Sequence, residues 1–62
     1  MSAVVGKKPE HRVEARWLVT CHDNTAALTH NIKVAKVFTD TDEAEEFIEA
    51  NNLTDDYCSY EI

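Results

Sequence analysis

The clearest strand pattern lies in residues 10–22, where apolar and polar side chains alternate along the chain. A period of two is typical of a β-strand that buries one face. Leu18 and Thr20 make the second face less than wholly polar, so we expect this segment to be the central strand of a sheet. The apolar members of the alternation are Val13, Ala15, Trp17, Val19 and Cys21.

A second strand is predicted for residues 32–38, which are rich in β-branched side chains. Lys36 falls among the apolar positions of this segment. Either a bulge beside it shifts the register, or its stem lies along a sheet edge with the ammonium in water. Both interpretations favour an edge strand. Residues 23–31, between the two predicted strands, indicate a turn too long for a two-residue hairpin.

One amphipathic helix is predicted after a polar entrance at residues 39–43, where Asp40 and Thr41 are alternative N-caps. Its apolar side chains recur at helical spacing, and glutamates occupy the opposite side. The apolar positions are Ala44, Phe47 and Ile48.

The end of the helix is predicted at Asn51 or Asn52, because asparagine tolerates the left-handed conformation that terminates helices. Leu53 is placed to supply the accompanying hydrophobic contact. Residues 57–62 then alternate again and indicate a final strand. One of its faces would carry Cys58, Tyr60 and Ile62.

These elements predict an α+β fold, with a single small domain in the order strand, strand, helix, strand. The expected sheet is three-stranded and antiparallel, in the order 2-1-3, with one helix packed on one face. Residues 1–9 are predicted to be a flexible N-terminal arm and residues 10–62 to be the domain. The uncovered sheet face is either a contact surface or an ordinary exposed face. It would carry some of Leu18, Thr20, Ala35, Val37 and Tyr57.

The composition fits one small folded domain, since 62 residues are 44% hydrophobic and 29% charged. A chain of this size argues against a deep enclosed active site. No apolar run approaches the roughly 18 residues needed to span a bilayer, so we expect a cytoplasmic protein. Cys21 and Cys58 are expected to be reduced core residues, and a disulfide between them is the alternative.

Charge is strongly polarised along the chain. Residues 1–38 carry six basic and three acidic side chains, whereas residues 39–62 carry nine acidic and no basic ones. A solvated helix face is the ordinary explanation. The absence of lysine or arginine at i+4, and the concentration of charge on one element, favour a surface that binds a basic partner. The candidate partner-binding residues are Asp40, Asp42, Glu43, Glu45, Glu46, Glu49, Asp55 and Asp56.

The sequence predicts neither an enzyme nor a cofactor. Cys21 and His22 point to opposite sides of a strand, and no pair of histidines or cysteines has the spacing of a zinc knuckle, so no metal site is expected. One glycine is too few for a phosphate-binding loop. The net charge of −6 argues against direct binding to nucleic acid or to an anionic membrane.

The arrangement of several short motifs resembles the small early proteins with which bacteriophages subdue their hosts, and most of all the phage inhibitors of bacterial RNA polymerase. The motifs are Trp17-Leu18-Val19, Val37-Phe38 and Thr41-Asp42-Glu43-Ala44, and the likeness covers about residues 12–62. The resemblance implies an inhibitor of a host machine, with RNA polymerase as the first candidate, acting in the host bacterial cytoplasm.

In that family, inhibition is attributed to an acidic strip and to arginines on the last strand. Residues 57–62 contain no arginine, so no site residue is taken from the family. The expected partner is a host protein complex with a basic surface. One alternative is an anti-CRISPR or anti-restriction inhibitor that mimics nucleic acid. The other is a structural or accessory subunit that forms homo-oligomers through the uncovered sheet face.

Overall fold

The computed structural model describes residues 1–23 and 25–62. It confirms the α+β class, because one helix packs on an antiparallel sheet, but the sheet has five strands rather than three. The strands are β1 (Ala3–Lys7), β2 (Trp17–His22), β3 (Thr25–Thr29), β4 (Val37–Phe38) and β5 (Tyr57–Glu61). The helix is α1 (Thr41–Ala50), and a short 3-10 helix spans Ile32–Val34.

Strand β1 lies at the centre of the sheet, so the prediction of a flexible arm at residues 1–9 is wrong. It pairs antiparallel with β2, β4 and β5. Ala3, Val4 and Val5 are each fully buried. Because β1 is buried on both faces, its apolar residues are consecutive and show no alternation. The folded unit therefore includes residues 3–7 and does not begin at residue 10.

The strands before and after the helix, β4 and β5, both pair with one strand between them, but the predicted order 2-1-3 is not the order of this sheet. The central strand is β1 and not the strand that contains Trp17. Strand β2 meets β1 only where Trp17 lies opposite Gly6. On its other edge β2 pairs with β3 from Trp17 to His22, with an irregularity between Leu18 and Thr20. The predicted central position of the Trp17 strand is therefore wrong.

Three predicted boundaries also differ from the structure. Residues 10–16 are irregular, residues 23–31 contain β3, and most of residues 32–38 lie outside strands. The Asn31 side chain accepts a hydrogen bond from the Lys33 backbone N–H at 3.0 Å, which starts the 3-10 helix. This local cap outweighs the β-propensity of the branched residues. Lys36 is exposed, with its Nζ 5.6 Å from the Phe38 ring centroid.

The start and the buried face of α1 follow the prediction. The Asp40 side chain caps the helix, since its Oδ1 accepts a hydrogen bond from the Glu43 N–H at 2.9 Å. Ala44 and Ile48 are buried, and the Phe47 ring packs against the core. The cap satisfies a backbone donor that has no partner within the helix.

The end of α1 is a Schellman motif centred on Asn52, which has a φ of 57°. Its N–H donates to the Glu49 carbonyl, and the Leu53 N–H donates to the Ile48 carbonyl. Leu53 is buried in the core. The predicted helix end and hydrophobic contact are both confirmed, with Asn51 as the C-cap.

The core lies between α1 and the sheet, and residues of the β2–β3 hairpin close its side. The Phe38 and Phe47 rings meet within it, with centroids 5.2 Å apart. Partly buried side chains of Cys21, Ala26 and Leu28 pack against it. The buried members are Ala3, Val5, Leu18, Phe38, Ala44, Ile48, Leu53 and Tyr57.

The opposite sheet face carries no helix. Of the five residues predicted for it, Val37 lies there, opposite Val4, whereas Leu18 and Tyr57 belong to the core. The register places Cys58 and Tyr60 on this face too, opposite Gly6 and Val4. The Trp17 and Tyr60 rings contact edge to face there, with centroids 5.0 Å apart.

Gly6, the single glycine of the chain, is required by the close approach of Trp17. A Cβ at this position would lie 2.8 Å from Trp17 Cε3 and 3.2 Å from the Arg16 carbonyl oxygen. We expect Gly6→Ala to lower the free energy of unfolding by about 1–3 kcal/mol, because the indole must move. Urea unfolding followed by the fluorescence of Trp17 measures this change.

Ala27→Ser is the matched control, since Ala27 is exposed in β3. It should change the free energy of unfolding by less than about 0.5 kcal/mol. Equal stability of the Gly6→Ala and native proteins would contradict the close packing of the indole on Gly6.

Candidate protein-binding surface

The predicted partner-binding residues lie on α1 and on the segments that flank it, and together we call them the acidic surface. All eight side chains are exposed. Six belong to α1 or its N-cap, and two precede β5. Its members are Asp40, Asp42, Glu43, Glu45, Glu46, Glu49, Asp55 and Asp56.

Three of these carboxylates have a local contact. Asp40 caps α1, Glu45 Oε1 accepts a hydrogen bond from Ser59 Oγ at 2.7 Å, and Asp56 Oδ1 lies 3.5 Å from His11 Nε2. Within the described residues, no side-chain hydrogen bond or ion pair engages the other five. Those five are Asp42, Glu43, Glu46, Glu49 and Asp55.

The guanidinium of Arg16 is directed at backbone carbonyls and not at a carboxylate. It donates to the carbonyl oxygens of Lys7 at 2.7 Å and Lys8 at 2.9 Å, and also to that of His11. These bonds hold the irregular segment between β1 and β2 in one conformation. Arg16 is a structural residue, and the alternation pattern that placed it in a strand gave no sign of this role.

Two lysines are directed at aromatic rings. Lys7 Nζ lies 4.9 Å from the Tyr57 ring centroid, and Lys36 Nζ lies near Phe38. In the part of the chain that the structure describes, every ion pair within 4.0 Å involves a histidine and none involves lysine or arginine. The acidic surface therefore has no lysine or arginine partner among those residues.

Spacing along α1 places like charges next to each other. Asp42 and Glu46 are four residues apart, as are Glu45 and Glu49. Such pairs repel on a helix surface. Glu49 also lies in the last turn, where the helix dipole disfavours a negative charge and no basic residue compensates it. These two like-charge pairs and the position of Glu49 thus lower the stability of the helix.

Tyr60 fixes β5 on the sheet. Its hydroxyl donates to the Lys7 carbonyl oxygen at 2.6 Å, the same atom that Arg16 contacts. Burial raises the pKa of the Tyr60 phenol, the Cys58 thiol raises it further, and the Arg16 guanidinium opposes the shift. Tyr60 is therefore a neutral hydrogen-bond donor at physiological pH. Sequence reasoning missed this cluster because its members come from three distant segments.

The described residues contain no group of three histidine, cysteine or acidic side chains that is placed to hold a metal ion. No ligand-sized cavity is found in that part of the chain either. Cys21 and Cys58 are free and half-buried, and Cys21 packs against the core. No described helix combines the length and apolar character that crossing a membrane requires.

Comparison of the chain with protein-family models, curated proteins and solved structures finds no match. The acidic surface is therefore the feature on which a functional proposal depends.

Replacing Glu49 with lysine should stabilise the protein. The lysine would form an i, i+4 pair with Glu45 and would complement the helix dipole. We expect Glu49→Lys to raise Tm by about 3–6 °C in low salt, measured by circular dichroism. Glu49→Gln removes the repulsion without adding a cation, so its Tm should lie between the two. High salt should shrink the difference, and a lower Tm for Glu49→Lys would contradict the proposed repulsion.

Proposed function

We propose that this protein is a non-enzymatic inhibitor that binds a host protein complex by docking its acidic surface on a basic surface of that complex. The observation that supports this most directly is the set of eight exposed carboxylates, which have no lysine or arginine partner among the described residues. A surface selected only for stability would pair or disperse these charges.

The acidic surface is suited to fast and specific association. Charge concentrated on one element produces a directed field that steers a basic partner. The helix is held by a cap at each end and by its buried face, so its backbone loses little conformational entropy on binding. Because the carboxylates are exposed, binding should weaken as salt rises.

Bacterial RNA polymerase is the leading candidate target, on the strength of the sequence pattern shared with phage inhibitors. The acidic surface would occupy a basic site that the polymerase uses for DNA, in the cytoplasm of the infected cell. A CRISPR or restriction complex has the same kind of basic site, and a nucleic-acid mimic would use the same carboxylates. Strand β5 has no arginine, so the acidic surface would carry the interaction without the second contact of that family.

The first experiment reverses charge at two positions of the acidic surface and compares it with the same reversal elsewhere. Glu46→Lys/Glu49→Lys changes the helix, and Glu10→Lys/Glu14→Lys changes two exposed positions outside it. Both variants shift the net charge from −6 to −2. Binding of purified bacterial RNA polymerase to each immobilised variant is measured in low and high salt.

The helix variant should bind at least about tenfold more weakly than the native protein, because two attractive contacts become repulsive. The control variant should bind within about twofold of the native protein. An equal loss of affinity in both variants would indicate that binding depends on net charge rather than on the acidic surface, and would contradict the proposal. No binding by the native protein would exclude the polymerase as the target, and the same variants then test CRISPR and restriction complexes.

A second candidate function, a self-associating accessory subunit, is favoured by one observation on the uncovered sheet face. Val37 is 57% exposed, and Ile62, whose N–H donates to the Ser2 carbonyl, is 52% exposed. Both continue the face formed by Trp17 and Tyr60. Exposed apolar side chains beside an aromatic pair are typical of contact surfaces.

Sedimentation equilibrium tests this second candidate. Self-association through the face predicts a mass that rises with protein concentration and does not fall in high salt. Val37→Glu should then restore a monomer, whereas Val34→Glu should not, since Val34 is 55% exposed and lies outside the sheet. A constant monomeric mass for the native protein would exclude a homo-oligomer through this face.

A further inference from the structure

Strand β5 has an open edge. Among the described strands its only partner is β1, on one side. The helix packs over the β1–β5 pair, and the other side of β5 carries no strand in the part of the chain that the structure describes. An open edge is a template for another extended chain.

The hydrogen bonds to β1 identify which backbone groups lie on this edge. The Lys8 N–H donates to the Asp56 carbonyl and the Ile62 N–H donates to the Ser2 carbonyl, each at 2.9 Å. Hydrogen-bonded positions alternate along an antiparallel pair. Residues 56, 58, 60 and 62 therefore face β1, and the N–H and C=O groups of Ser59 and Glu61 point away from it.

Carboxylates surround this edge. Glu61 lies on it, and Asp55 and Asp56 precede it. Glu45 is tied to it by the hydrogen bond from Ser59 Oγ. That bond makes the edge continuous with the acidic surface on α1, so an extended chain added to β5 would lie beside both.

We propose that the open edge of β5 receives an extended, basic segment of the partner as an added sixth strand. Its backbone would bond to Ser59 and Glu61, and its lysine or arginine side chains would face Glu45 and Glu61. The inference rests on the proposed function and specifies the form of the partner, an extended basic segment.

The charges of the edge disfavour a second copy of the chain. Two β5 strands paired about Ser59 would bring the two Glu45 carboxylates close together. Exposed edges are commonly protected by lysine, proline or a bulge, and β5 has no lysine or proline. Its acidic side chains repel a copy of themselves and attract a basic strand, which gives selectivity without a pocket.

The test uses a synthetic peptide of seven alternating lysines and valines and two variants at one position. Ser59→Pro removes the outward N–H and leaves the bonds to β1, because proline is tolerated where the N–H faces away from the sheet. Ser59→Ala removes the hydroxyl and keeps the N–H. Isothermal titration calorimetry measures the peptide Kd, and circular dichroism checks the fold of each variant.

We expect Ser59→Pro to weaken peptide binding by about tenfold or more and Ser59→Ala by less than about threefold. On the native protein, the same peptide N-methylated at alternate amides should bind about tenfold more weakly, which tests the edge even if Ser59→Pro does not fold. Peptide binding should also slow hydrogen exchange at the Ser59 and Glu61 amides, while those of Cys58 and Tyr60 are already protected.

The proposal about the β5 edge and the proposed function are contradicted by different results. Equal peptide affinity for Ser59→Pro and Ser59→Ala, or for the methylated and unmethylated peptides, overturns the edge. Concentration-dependent protection of Ser59 without peptide overturns it too, because β5 then pairs with a second copy. If Glu46→Lys/Glu49→Lys loses polymerase binding and Ser59→Pro does not, the edge proposal is overturned and the acidic surface is supported. Equal polymerase binding by both double charge variants overturns the proposed function itself.

Discussion

The backbone of β1 provides the hydrogen-bonding groups to which three other strands attach. β5 occupies one edge, and β2 and β4 share the other, with Trp17 opposite Gly6 and Val37 opposite Val4. The Lys36 N–H donates to the Leu18 carbonyl where β2 extends past its pairing with β1. A five-residue strand buried on both faces thereby fixes the positions of the helix, through β4 and β5, and of the hairpin, through β2.

The same arrangement accounts for the uncompensated charge of α1. A domain of this size has a small core and little stability to spare. Arg16 is used to satisfy three carbonyls of the connection from β1 to β2, and Lys7 lies over the Tyr57 ring. Arg16 and Lys7 therefore make no ion pair with the helix, and its carboxylates are exposed to solvent.

How much of the fold could be predicted from the sequence depends on how far apart in the chain the interacting residues lie. The helix could be predicted because its limits are set locally, by Asp40 at the start and Asn52 at the end. The exposed acidic side chains could be predicted because charge is a property of composition. Strand β1 could not, because a short apolar run becomes a strand only through partners that lie 11 to 58 residues away in the chain. Thr25–Thr29 has weak apolar alternation, and its pairing with β2 defines it as a strand.

The predictions for residues 32–38 and for Arg16 failed for opposite reasons. In the first, a nearby asparagine cap overrode a strong β-propensity. In the second, alternation placed Arg16 within a strand, whereas it lies just before β2 and its carbonyl partners lie up to nine residues away in the irregular segment. Residue type therefore predicted which charges exist, and only the three-dimensional structure showed which groups each of them contacts.

Repulsion along α1 and the open edge of β5 meet at the Glu45–Ser59 hydrogen bond. A basic segment placed there would neutralise carboxylates that weaken the helix and would satisfy the outward backbone groups of β5. Both effects stabilise the folded state relative to the unfolded one, so binding and folding are linked. The repulsion between like charges in the free protein would thus become part of the affinity for a basic partner, and a neutral partner would gain none of it.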